Sequence, residues 1–229
     1  MKNVTTKKSV FSALVLAMTA SLTSATAIAH DHNDKVEPKV IKNAMAQQQN
    51  EAKTKQFAVD QALAGKPNQA NAELMVSALK AGNFQVIEYL MNAGLDINTP
   101  LIGDGTPLML ATKQGNHEHV AKLLELGALP DATSEGDGNP LIVAAQHNMT
   151  AIAKTLIDHG ADVNAIVVGD ETPLINASRF GHQDMVELLV NNGADVNLAV
   201  TVENGKIRSP LNQSATSSIR GYLEQHGAN

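Results

Sequence analysis

Four columns of residues recur every 33 positions, and this period constrains the fold more than any other feature of the chain. Thr106-Pro107-Leu108, Asn139-Pro140-Leu141 and Thr172-Pro173-Leu174 stand at that interval. So do Gly94, Gly127, Gly160 and Gly193, then Leu90, Leu123, Leu156 and Leu189, then Ala78, Ala111, Ala144 and Ala177. A fixed period of this length means stacked copies of one supersecondary unit, each too small to bury its own apolar face.

Each column has a physical reason. Thr106, Asn139, Thr172 and Ser209 precede a proline, and their side chains can accept from the free N–H groups at a helix start. Pro107, Pro140, Pro173 and Pro210 then take the first helical position, where a missing N–H costs nothing. The alanines let two helices approach closely. Gly82, Gly115, Asn148 and Gly181 fall between the helices of a pair, where a left-handed residue is needed. The second helices carry apolar residues at i, i+3 and i+4: Ile87/Leu90/Met91, Val120/Leu123/Leu124, Ala153/Leu156/Ile157 and Val186/Leu189/Val190. That spacing predicts one buried stripe per helix.

Asp104-Gly105-Thr106-Pro107-Leu108 and Gly-Ala-Asp-Val-Asn at 160–164 and 193–197 resemble the signature of the ankyrin repeat. Gly181-His182 and His159-Gly160-Ala161-Asp162 match it as well. The resemblance spans residues 72–229 and implies an all-α solenoid of helix–turn–helix units joined by β-hairpin loops. Five units are expected, at 72–98, 99–131, 132–164, 165–197 and 198–229, the outer two atypical as caps. There are departures. The histidine usual after Thr-Pro-Leu is Met109, Ile142, Ile175 and Asn212, so a side-chain hydrogen-bond network is lost. The first unit has Glu73-Leu74 in place of Thr-Pro. The last hairpin is longer, since Pro173 and Pro210 stand 37 apart, and the second helix of that unit is expected to be cut short before Gly227-Ala228-Asn229.

Upstream of the repeats the chain reads differently. Lys2, Lys7 and Lys8 form a basic start, Val10 to Met18 an apolar run, and Ala27-Ile28-Ala29 an A-x-A cleavage site, so residues 1–29 are read as a signal peptide. Ser12, Thr19, Ser21, Thr23, Ser24 and Thr26 interrupt the run, whereas a membrane span needs roughly 20 mostly apolar residues. The expected location is the periplasm. Residues 30–56 are a polar leader with few large apolar side chains to offset ordering. Residues 57–71 are assigned to a capping helix, near 55–64 around Phe57, Val59 and Leu63, and a linker, with Gly65-Lys66-Pro67 ending the helix.

Charge and composition narrow the function classes. The 229-residue chain has 17 basic and 23 acidic residues, a net −6. Loss of the three signal-peptide lysines leaves 14 basic and 23 acidic residues, a net −9. A surplus of that sign argues against non-specific nucleic-acid binding. With no cysteine, disulfide scaffolds, thiolate metal sites and thiol catalysis drop out. No Gly-x-Ser-x-Gly, phosphate loop or dinucleotide fingerprint is present, so no catalytic residues and no cofactor are assigned. His117 and His119 are two apart and do not share a helix face. His159 and His182 occupy positions that the resemblance makes structural. Cleavage after Ala29 would leave His30-Asp31-His32, whose terminal amine, amides and His32 ring suit square-planar copper or nickel, so His30 and His32 are the candidate metal ligands.

The resemblance implies protein binding through hairpin tips and the exposed side of the first helices. The candidate contacts are Ile102, Asp104, Leu110, Lys113 and Gln114, then Glu135, Asp137, Val143, Gln146 and His147, then Val168, Asp170, Asn176, Arg179 and Phe180. The long last finger adds Glu203, Lys206 and Arg208. Leu110 and Val143 are equally suited to packing between units. Asp104, Asp137 and Asp170 fit turn formation as well as an acidic row facing a basic partner. Phe180 is the strongest single candidate. The chain is expected to be a monomeric, non-enzymatic periplasmic module that supports a periplasmic enzyme. The resemblance also links small exported proteins of this kind to peroxide defence. An immunity-type inhibitor of a basic toxic effector and a copper- or nickel-binding protein are the alternatives.

Overall fold

The structure is a computed structural model that describes residues 67–101, 105–133, 138–167, 171–202 and 205–229. The expected signal peptide, the leader, the helix near 55–64, His30 and His32 lie outside the described residues.

The chain divides into two compact units, one ending at Leu95 and one running from Asp96 to Asn229. In the first unit α1 (Pro67–Lys80) packs against α2 (Phe84–Asn92). Residues 67–71, assigned to the linker from sequence, are the first turn of α1. Pro67 is the first residue of this helix, a position whose N–H needs no intrahelical acceptor. Leu74, Met75, Ala78 and Leu79 on α1 and Val86, Ile87 and Leu90 on α2 form the buried face.

The second unit holds the helix pairs α3 (Pro107–Lys113) with α4 (His117–Glu125), α5 (Pro140–Gln146) with α6 (Thr150–Asp158), and α7 (Pro173–Phe180) with α8 (Gln183–Asn191). A short hairpin, β1 (Val200–Thr201) with β2 (Ile207–Arg208), and α9 (Ser217–Gln225) follow. Inner helices α3, α5 and α7 pack in sequence, and so do outer helices α4, α6 and α8. Among the described residues nine helices and one two-stranded antiparallel sheet are present, which is an all-α solenoid.

The sequence columns account for this pairing. Thr106 Oγ1, Asn139 Oδ1 and Thr172 Oγ1 accept from the backbone N–H of Met109, Ile142 and Ile175 at 3.2, 2.8 and 3.1 Å. Each inner helix thus starts on a capped N-terminus with proline at its first position. Met109, Ile142 and Ile175, at positions where the resemblance implies a histidine, are fully buried. Burial of each contributes about 1.5–3 kcal/mol, so apolar packing takes over from the lost side-chain bonds. Ala78, Ala111, Ala144 and Ala177 are fully buried at the crossing of each pair. Asn148 turns its pair at φ +54°, close to the +64°, +66° and +76° of the glycines in its column.

A second ladder runs along the loops between units. Asn98 Oδ1 accepts from Leu129 N at 2.8 Å, and Asp131 accepts from Asp162 N at 3.1 Å. Asn164 Oδ1 accepts from Asp195 N at 2.8 Å, and Asn197 Oδ1 from Asn229 N at 3.0 Å. The amide groups of Asn164 and Asn197 also donate to the Gly193 and Gly227 carbonyls at 3.1 and 3.0 Å. One column of side chains therefore ties each loop to the next.

The last unit departs from expectation. Its second helix, α9, is as long as the other outer helices, with nine residues. The shortened element is the first helix, reduced to a turn over 210–213. Four residues enter before Pro210, and three are missing between Pro210 and the outer helix, so Gly227 follows Gly193 at 34 instead of 33. The longer finger forms the hairpin, with Val200 opposite Arg208 and Thr201 opposite Ile207. The deficit falls on the inner helix.

Candidate functional site

The C-terminal ends of the inner helices present two columns to solvent. Lys113, Gln146 and Arg179 form one, exposed or half-buried. Gln114, His147 and Phe180 form the other, all exposed. Phe180 is 53% exposed and stacks on the His182 ring at 6.1 Å between centroids. Beside it Gly181 brings the last unit close: a Cβ there would lie 3.5 Å from the Ala215 methyl, and Ala215 N donates to the Ser178 carbonyl at 2.9 Å. Phe180 therefore projects from a fixed backbone.

The structure removes three candidates from this surface. Leu110 and Val143 are buried, on inner helices that pack against one another. Asn176, in the same column, is also buried. Its Nδ2 donates to the Thr172 carbonyl at 3.0 Å, and its Oδ1 accepts from Gln146 Nε2 at 3.3 Å, so it links α5 to α7. Ile102, Asp104, Glu135, Asp137, Val168, Asp170 and Glu203 lie outside the described residues. Lys206 is exposed on the last finger, and Arg208 is half-buried beneath it.

Arg179 and Arg208 meet on a residue that the sequence reading missed. Glu171 is 2% exposed, and both guanidinium groups pair with its carboxylate, Arg179 through Nη2 and Arg208 through Nη1. Glu171 also pairs with Val167 in a backbone bridge, at 3.1 and 3.2 Å. Its φ is +69°, matching the +74° and +73° of Gly105 and Gly138 in the same column. A residue with a Cβ costs about 1–2 kcal/mol in that region, and a glycine does not. The ion pairs hold the strained residue in place, joining α7 to the finger. Burial, and then the Arg208 charge, push the Arg179 guanidinium below its ordinary pKa. The available signal was the glutamate in a glycine column, but its partners stand 8 and 37 residues away.

His182, His159 and His117 make structural hydrogen bonds. His182 Nε2 donates to the Gln146 carbonyl at 3.0 Å, tying one unit to the previous one. His159 Nδ1 bonds the Thr155 carbonyl at 2.8 Å, and His117 Nε2 bonds Thr155 Oγ1 at 2.7 Å. Among the described residues no cluster of three His, Asp or Glu side chains is placed to hold a metal ion. Among the same residues no helix is long and apolar enough to cross a membrane.

A family model described as ankyrin repeats (3 copies) matches residues 43–134 and 129–200, more than half of the chain. No curated protein matches the chain.

Proposed function

Since the chain belongs to the ankyrin-repeat family, we propose that it is a non-enzymatic protein-binding module, exported to the periplasm, that contacts its partner through the inner-helix ends and the fingers. The observation that carries the reading is the pair of solvent-facing columns ending at Phe180. The neighbouring columns are taken up by caps, core packing or inter-unit hydrogen bonds. An aromatic ring half open to solvent on a rigid backbone is well suited to a binding anchor, since little side-chain freedom is lost when it is covered. Export rests on the basic start, the apolar run and Ala27-Ile28-Ala29. Support of a periplasmic enzyme in peroxide defence is the role in which such a module would act.

The test is capture of partners from a periplasmic extract of the native host, with identification by mass spectrometry. Replacement of Gln114, His147 and Phe180 by Ala is expected to abolish capture and leave the circular dichroism melt unchanged. Equal capture by the variant would rule out this face. Deletion of the gene is expected to raise peroxide sensitivity, and an unchanged survival curve would remove the stress-defence role.

A further inference from the structure

We propose that Arg179 and Arg208, held on Glu171 beside Phe180, form a subsite for a carboxylate of the protein partner, which therefore presents an acidic segment with an apolar side chain next to it. The inference rests on the protein-binding reading and names the chemistry of what is bound.

Three observations converge. The first is charge. Two guanidinium groups share one carboxylate, leaving one net positive charge at this place in a chain of net charge −6. Inner helices α3, α5 and α7 contain no acidic residue, whereas outer helices α4, α6 and α8 carry Glu118, Glu125, Asp158, Asp184 and Glu187. The acidity of those helices is carried on a different set of helices from the one that holds Arg179, and salt screens exposed charges beyond about 8 Å. The second is unused hydrogen-bonding capacity. Each guanidinium has five N–H donors in a fork that fits carboxylates. Glu171 takes one terminal nitrogen from each, and both side chains remain 33% exposed. The third is the strained backbone. Unlike its column mates Gly105 and Gly138, Glu171 brings a Cβ into the left-handed region. The carboxylate that comes with it draws both arginines to one place next to an exposed ring, where it competes with a partner's carboxylate for them.

The experiment is selection of a random peptide display library against the full chain, followed by titration of the enriched peptides. Enrichment of Asp or Glu adjacent to an apolar residue is expected. Affinity should fall about tenfold in Phe180→Ala and in the double variant Arg179→Gln/Arg208→Gln, as for loss of a charge-assisted contact. Because the double variant leaves Glu171 buried and unpaired, Glu171→Gly provides the second arm. It restores the residue of the column and releases both arginines, so acidic peptides should bind several-fold more tightly. A structural clamp alone would give no such gain. Neutral or basic enriched peptides, unchanged binding by the variants, or weaker binding by Glu171→Gly would each overturn the subsite. Failure of the library to yield any peptide, while a native protein is still captured through Phe180, would also overturn it and leave the protein-binding reading standing.

Discussion

Asn139 stands where the second and fourth units carry threonine. Its Oδ1 caps α5 as well as a hydroxyl does, at 2.8 Å. Its Nδ2 is buried without a partner among the described residues. An orphaned buried donor costs about 1–3 kcal/mol, so Asn139→Thr, which keeps the cap and removes the amide, is expected to stabilise the protein by about 1 kcal/mol. Urea denaturation would measure it, and a loss of stability would mean that the amide has an acceptor. Glu171 is the opposite case, a residue that keeps its strain because two arginines hold it. The sequence made the caps legible, since a capping side chain acts on an amide three residues away. Glu171 was not legible, because its partners come from a distant helix turn and from a finger of unusual length.

The loop ladder makes predictions about elements. Asn164 and Asn197 both accept and donate, but Asp131 in the same column can only accept. Asp131→Asn supplies the missing donor toward the Gly160 carbonyl and removes a carboxylate from beside Asp162. A gain of about 0.5–1.5 kcal/mol is expected, measured as a higher urea midpoint at unchanged slope. Asn164→Ala breaks two bonds between the third and fourth units and should lose about 1–3 kcal/mol. The inner helices show where reading a sequence stops. Leu110 and Val143 follow proline by three residues on a helix of seven, and helical spacing alone does not say whether a neighbour covers that face. The next inner helix does. In the last unit the 37-residue spacing announced a longer finger, but the three residues removed after Pro210 shortened the inner helix instead of α9.

At the scale of the second compact unit, stability is a sum of unit terms and nearest-neighbour contacts. The third unit has a packed neighbour on each side, whereas the last has no complete inner helix. Amide exchange in α9 is therefore expected to run faster than in α5 and α6, and equal protection would mean that the array opens as a whole. The period of 33 made the architecture legible because caps, prolines, alanines and apolar stripes all point to one unit. The proposed binding face was legible in part. Gln114, His147 and Phe180 emerge on the surface as expected, while Leu110, Val143 and Asn176 went to the interior. The most direct test is hydrogen–deuterium exchange of the chain with and without its captured partner. Protection confined to the C-terminal ends of α3, α5 and α7 and to the last finger is the predicted result. Protection confined to outer helices α4, α6 and α8, with the Phe180 segment unchanged, would contradict the account.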